Sequence, residues 1–447
     1  MGLNWGFKVD GEILAKRFIY NIHYLSDNNL FRLSKIAARY SQKKKGVKQL
    51  VNEKLIDRFY ENVHPKIKSK VIRDFILRGI IYNDIRRTEI LNQGSSSPVS
   101  VLISPSMRCN LNCIGCYAGK YTRQDDLDFE TLSRVIREAQ DMGTAFFTIL
   151  GGEPLVYPRL FDMFKVHNNA FFQFYTNGTL INESTVKKLL EVGNAVPILS
   201  IEGFEERTDE RRGKGTYQKL MKAMDLLREN HIPFGFSSMA TSKNAEEVTS
   251  DEFVDFLIRK GAYLGWYFLY MPIGKNPDLK LMPTPEQRRM MLDKVNAIRH
   301  NKPLFVVDFW NDAPLVGGCI AGKNYIHITH KGDVEPCIFT HFAMDNVKDK
   351  HLREVMDSQF FRELRKRQPY SDNLYLPCMW IDHPEVSREL KKQLPIYPTH
   401  PEADAVLVDE SLKRGLDKYS ERVKEIYQEA WEERERLINP KKILVRH

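Results

Sequence analysis

Three cysteines stand within eight residues of one another in Met107-Arg108-Cys109-Asn110-Leu111-Asn112-Cys113-Ile114-Gly115-Cys116-Tyr117. Iron–sulfur clusters are held chiefly by cysteine thiolates, and three on one loop can wrap one side of a four-iron cube. Only three are supplied, so one iron keeps an open position that a small chelating molecule can fill. Two plainer readings compete, a zinc site and buried free thiols. Structural zinc takes four ligands, often as two Cys-x2-Cys knuckles, and no histidine lies near this loop. The cluster is the better reading of the spacing.

Other chemistry-bearing segments follow. Gly151-Gly152-Glu153-Pro154, Thr176-Asn177-Gly178-Thr179 and Ser200-Ile201-Glu202-Gly203 each close an apolar run. Taken singly, each is a turn. Further on, Cys319 is followed by twelve residues, Gly332, four more residues and Cys337. Tyr325–Thr329 and Val334–Cys337 flank His330-Lys331-Gly332-Asp333 and read as a hairpin whose turn brings both thiols to one end. Cys378, in Leu376-Pro377-Cys378-Met379-Trp380-Ile381-Asp382-His383, is the obvious third partner. The plainer reading of this set is three small buried hydrophobes.

The elements that must position these residues are legible from periodicity. Short apolar runs predict strands near 100–104, 145–150, 171–175, 197–202, 233–239 and 265–271. Amphipathic segments predict helices near 129–142, 159–168, 182–192, 216–230, 249–261 and 284–299. Six repeats of strand then helix imply a parallel sheet, because parallel strands need crossover connections. A curled sheet of this kind, a partial (β/α)6 barrel, places its chemistry at the carboxyl ends of its strands. The motifs fall there. After about residue 300 the alternation is expected to stop, with the hairpin and charged helices at 352–367 and 408–438 completing the chain.

With the motifs in this order, the chain resembles the radical S-adenosylmethionine (radical SAM) superfamily, whose defining feature is Cys-x3-Cys-x2-Cys. The resemblance implies a 4Fe–4S cluster on Cys109, Cys113 and Cys116, with SAM chelating its open iron through an amine and a carboxylate. Gly151, Gly152 and Glu153 match the GGE segment that receives the SAM amino group. Asn177, Ser200 and Glu202 lie at strand ends where related enzymes contact the ribose or carboxylate. The aromatic residue that many members carry just before the third cysteine is Gly115 here, which leaves the adenine side to Tyr117 or to a residue elsewhere. Cys319, Gly332 and Cys337 resemble the opening of SPASM and twitch extensions, so Cys319, Cys337 and Cys378 are expected to hold a second, auxiliary cluster. Six cysteines are too few for a complete SPASM set, which makes the module twitch-sized. Its fourth ligand is left to Asp382, His383, a substrate atom or water.

Four regions are expected: 1–97, basic and mostly helical; 98–300, the barrel; 301–383, the auxiliary module; and 384–447, a helical tail. The net charge is +9, yet residues 1–97 carry 19 Lys and Arg against 9 Asp and Glu, so the remainder is nearly neutral. Leu30, Leu33, Ala37 and Tyr40 form a stripe, with Arg32, Lys35 and Arg39 on another face and Lys43–Lys45 following. That pattern suits an anionic membrane surface. It carries no recognisable nucleic-acid-binding pattern, it opens on helix where leader-peptide modules open on strands, and its plainest reading is a cap on the barrel. No apolar run reaches the roughly 20 residues of a membrane span, and the start lacks the form of a secretory signal. A cytoplasmic protein, peripheral to a membrane at most, is expected, reduced by a donor such as flavodoxin or ferredoxin. Gly261–Gly274 is rich in aromatics and suits an apolar pocket or a core. The expected activity is hydrogen abstraction from an unactivated C–H bond, of a lipid or other apolar chain. A peptide-modifying enzyme and a non-catalytic iron–sulfur carrier are the alternatives, and a carrier would have no need of the strand-end motifs.

Overall fold

The computed structural model describes residues 52–438, together with Ser26, Asn29 and Phe31. The predicted basic stripe from Leu30 to Lys45 lies outside the described residues. Helix α1 (Glu53–Asn62) begins where the Asn52 side chain accepts the Leu55 N–H at 3.0 Å. Such a cap is worth about 1 kcal/mol. Helix α2 (Pro65–Lys70), a π-helical stretch (Val71–Tyr82) and α3 (Asn83–Asn92) follow. Phe75 packs its ring on Phe146 and Phe171, at centroid distances of 5.4 and 5.0 Å, where two barrel strands begin. Arg58 donates to the carbonyls of Ala262 and Ile258. These helices therefore close the amino-terminal mouth of the barrel. Where the chain enters the barrel, Ser97 is buried and bonds the Met142 carbonyl.

The barrel alternates strand and helix: β1 (Ser100–Ser106), α4 (Phe129–Asp141), β2 (Phe146–Gly151), α5 (Leu160–Val166), β3 (Phe172–Thr176), α6 (Glu183–Val192) and β4 (Ala195–Ser200). It continues with α7 (Glu205–Arg212), α8 (Thr216–Glu229), β5 (Phe234–Ala240), α9 (Asp251–Lys260), β6 (Ala262–Leu269) and α10 (Pro285–Asn301). The strands pair in parallel and in chain order. Tyr175 on β3 and Phe268 on β6 approach to 6.1 Å although two strands separate them, so the sheet curls and its concave faces meet. Side chains facing the helices, such as Phe147, Phe172, Phe174, Phe234 and Phe236, are fully buried. Each contributes about 1.5–3 kcal/mol by leaving water.

One expectation is corrected, and another is met with an addition. The alternation does not stop at 300, because β7 (Phe305–Asp308) pairs in parallel with β6 and extends the sheet. The predicted hairpin, β8 (Tyr325–Ile328) and β9 (Val334–Glu335), forms, but within the same sheet. β8 runs parallel to β1 with Ser100 opposite Tyr325 and Ile103 opposite Ile328. Among the described residues the sheet thus has nine strands, ordered β7-β6-β5-β4-β3-β2-β1-β8-β9. Beyond it lie β10 (Phe342–Ala343), α11 (Leu352–Met356), α12 (Gln359–Arg367), α13 (Pro384–Gln393), β11 (Tyr397–Pro398, paired with β10) and the long α14 (Glu410–Ile438). No described helix is long and apolar enough to cross a membrane.

Candidate active site and auxiliary thiol site

The cysteine loop leaves the carboxyl end of β1, and its three thiols are free and partly exposed. Backbone contacts hold it from two sides. Ile114 N–H donates to the Arg211 carbonyl at 2.9 Å, and Lys275 N–H to the Cys116 carbonyl at 3.1 Å. Gly115 has φ +62°, and a Cβ there would lie 2.5 Å from the ring of Tyr270. Tyr270, just past β6, thus fills the space that a side chain at position 115 would take. Burial pushes the Cys109 and Cys116 thiols up; Arg211 and Arg212 oppose this at Cys116. A cation bound by these sulfurs would hold them as thiolates.

The strand-end motifs converge on this loop. A Cβ on Gly152 would sit 2.1 Å from the Arg108 carbonyl oxygen, and Glu153 N–H donates to that oxygen at 2.8 Å. Only glycine allows the second strand's turn to lie this close to the cysteine loop. Glu153 is buried, which pushes its carboxyl up. Against this, the carboxylate accepts from Asn177 N–H (2.7 Å), Thr176 Oγ1 (2.7 Å) and Leu155 N–H (3.1 Å). Asn177 in turn donates through Nδ2 to Asn110 Oδ1 at 2.8 Å, tying the third strand's turn to the same loop. The Tyr117 hydroxyl bridges the N–H and carbonyl of Gly151 at 3.2 and 3.3 Å. Ser200 ends β4 opposite Ser237 and is half-buried.

Glu202 is buried and accepts from Arg211, Arg212 and the Met239 N–H. Burial raises its carboxyl, but the two guanidinium groups outweigh this and hold it below the usual range. The sequence reading missed both arginines. They end α7, whose Glu-Glu-Arg-Thr-Asp-Glu-Arg-Arg has no apolar periodicity. The available signal was the arginine pair running into Gly213, soon after a strand-end carboxylate.

Cys319, Cys337 and Cys378 are brought together at the far edge of the barrel. The Tyr325 hydroxyl lies 2.6 Å from Cys337 Sγ, and the thiols of Cys319 and Cys378 are near enough that their ionisation would act on it as well. Burial pushes Cys319 up to about 11 and Cys337 up to about 12, and carries Cys378 well above its ordinary value. The two side chains considered as a fourth ligand are engaged elsewhere. Asp382 is fully buried, paired with the equally buried Arg288 at 2.5 Å, and accepts the Cys378 N–H. His383 places Nε2 at the Leu376 carbonyl and Nδ1 at Glu385. A buried chain ties β1 to the hairpin: Ser104 Oγ to His327 Nε2 (2.7 Å), His327 Nδ1 to Glu335 (2.6 Å), and the Tyr121 hydroxyl to Glu335 (2.6 Å). Among the described residues, no three His, Cys, Asp or Glu side chains meet as the ligands of one ion would; the ligands of a four-iron cube stand at its separate corners.

Between the two thiol sets the concave face of the sheet carries a wall of half-buried rings. Phe268 lies 6.1 Å from Tyr175, 5.9 Å from Trp266 and 5.2 Å from Phe309, and Phe309 lies 5.8 Å from Tyr325. Their neighbours along the strands, Phe174, Tyr267 and Leu269, are buried. The Trp266 indole N–H is buried without a hydrogen-bond partner among the described residues.

Residues 103–253 match the family model of the radical SAM superfamily, and residues 319–379 match that of SPASM, an iron–sulfur cluster-binding domain. A protein of Methanocaldococcus jannaschii is 32% identical over 206 residues, covering 44% of this chain and 70% of its own. The chain belongs to the radical SAM superfamily. This radical SAM enzyme is also similar to the PqqA peptide cyclase of Gluconobacter oxydans, at 27% identity over 67% of this chain and 84% of the cyclase. Its fold is similar to that of Streptococcus suis SuiB bound to S-adenosylmethionine, with TM-score 0.52, 22% identity, and 67% and 72% of the two chains covered. Its cofactors are a 4Fe–4S cluster with SAM and an auxiliary iron–sulfur cluster.

Proposed function

We propose that this radical SAM enzyme abstracts hydrogen from an unactivated C–H bond of an apolar chain laid along the wall of Tyr175, Trp266, Phe268 and Phe309. The observation that carries the proposal is that wall, half-open and running between the two thiol sets. In this reading Cys109, Cys113 and Cys116 hold the 4Fe–4S cluster, and Gly151, Gly152 and Glu153 line the SAM site with Asn177 and Ser200. Glu202 positions Arg211 and Arg212, which set positive charge beside an anionic centre. Cys319, Cys337 and Cys378 hold the auxiliary cluster. Held by those three cysteines, the 4Fe–4S cluster would supply the electron for reductive cleavage of SAM, the radical chemistry by which a hydrogen atom is taken from carbon. In this reading the rings exclude water from the radical.

A lipid is the apolar chain that the charge favours, because residues 1–97 carry a net +10. Each basic residue near an anionic bilayer contributes about 1 kcal/mol. The anaerobically reconstituted chain, given SAM, a reductant and phosphatidylglycerol vesicles with perdeuterated acyl chains, is expected to yield deuterated 5′-deoxyadenosine. It should sediment with those vesicles and not with phosphatidylcholine. Neutralising Arg32, Lys35, Arg39 and Lys43–Lys45 should abolish sedimentation and spare SAM cleavage. SAM cleavage with no deuterium transfer overturns the lipid reading. The second reading, supported by the similarity to a peptide cyclase, then takes its place: an apolar peptide side chain presented to the same wall.

A further inference from the structure

The auxiliary half contains a polar atom where packing alone calls for none. Tyr325 is buried, and its ring stands edge-on to Phe309. A phenylalanine would fill the same space without needing a hydrogen-bond partner. A buried hydroxyl does need one, because an unmade hydrogen bond in a dry interior is costly. The one partner that the described residues give this hydroxyl is Cys337 Sγ, at 2.6 Å. Tyr325 is the first residue of β8, pinned to β1 on one side, while Cys337 follows β9 on the return of the hairpin. The contact is therefore set by sheet register. On the other side of the thiol set, the Tyr370 hydroxyl lies beside Cys319.

In a pair of neutral thiol and phenol, either atom can donate. Once Cys337 is an iron-bound thiolate it can only accept, and the proton between them must be the phenol's. A hydrogen bond to a cluster sulfur withdraws charge from it and favours the reduced, more negative state; such bonds are among the determinants of cluster potential. We propose that Tyr325 donates a hydrogen bond to the Cys337 thiolate of the auxiliary cluster and raises that cluster's reduction potential. Tyr325 is thus a positioning and tuning residue. The inference rests on the reading that Cys319, Cys337 and Cys378 hold this cluster.

The test uses the full chain carrying Cys109→Ala, Cys113→Ala and Cys116→Ala, so that only the auxiliary cluster is reconstituted. Its iron content is counted first. An iron-free chain overturns the assignment of the auxiliary cysteines, separately from the role of Tyr325. With iron bound, an EPR-monitored redox titration compares Tyr325 with Tyr325→Phe and with 3-fluorotyrosine at position 325. The phenylalanine removes the donor and should shift the midpoint potential down. The fluorinated ring is a stronger donor of nearly the same shape and should shift it up. Should Tyr325→Phe fail to fold or to bind iron, the fluorinated chain still decides. An unmoved potential in an iron-loaded variant overturns the proposal and leaves Tyr325 as packing. A tyrosinate-to-iron charge-transfer band in the parent, lost in Tyr325→Phe, overturns it in favour of direct ligation.

Discussion

Cysteine spacing is the most legible feature at the residue scale, because ligand number and loop length constrain a cluster directly. The neighbours are less so. Glu153, Asn177 and Tyr117 were read as facing a ligand, and each also has a partner within the protein: the Glu153 carboxylate accepts the Asn177 N–H in the turn after β3, Asn177 donates to Asn110, and the Tyr117 hydroxyl meets Gly151. Tyr270 was invisible, since nothing local in the sequence says that it meets the loop, and the two arginines offered only their place as a pair soon after a strand-end carboxylate. If Cys109 is a ligand, Cys109→Ala should lose about half of roughly eight irons per chain and all reductive SAM cleavage. Cys337→Ala should also lose iron but keep some cleavage, because the SAM-binding cysteines lie on a separate loop. Iron counting and 5′-deoxyadenosine assays check both, and cleavage surviving in Cys109→Ala would contradict the central assignment.

Elements with clear periodicity were read to within a few residues, and two barrel elements without it were missed. β7 has only four residues, and α7 is almost wholly charged, so neither gives an apolar pattern to read. The tie between distant elements is also hidden in sequence. Arg288 on α10 pairs with Asp382 beside Cys378, donates to the Tyr375 carbonyl, and lies under the ring of Tyr427 on α14. Both charges are fully buried. Removing one partner strands the other, at a cost of about 3–5 kcal/mol. Arg288→Met should therefore lower the unfolding midpoint in urea markedly, and Arg288→Met with Asp382→Leu should recover much of the loss. Equal destabilisation by the single and double variants would show that the pair is not what binds α10 to the Cys378 segment.

For the whole molecule, the sequence conveyed two cysteine sites on one barrel but not how they adjoin. β8 pairs with β1 across more than two hundred residues of chain, and no short-range signal encodes such a pairing. The same holds for buried titratable groups, whose environment only the assembled fold creates. His167, at the end of α5, is buried, and its Nε2 lies 2.8 Å from Ser133 Oγ. Arg137 donates to that same oxygen, so the serine proton goes to the imidazole, which must stay neutral to accept it. Burial first, then the Arg137 charge, pushes His167 down to about 4. In the unfolded chain a histidine binds its proton near pH 6.5. Between those values the unfolded state holds the extra proton, so stability must fall as pH drops from about 6.5 towards 4. One proton supplies at most about 1.4 kcal/mol per pH unit, and solvent screening leaves a fraction of that. Urea unfolding of the parent and of His167→Gln, followed from pH 7 to 4.5, should show the parent losing stability faster over this window. Parallel pH profiles would mean that His167 is already charged in the folded chain.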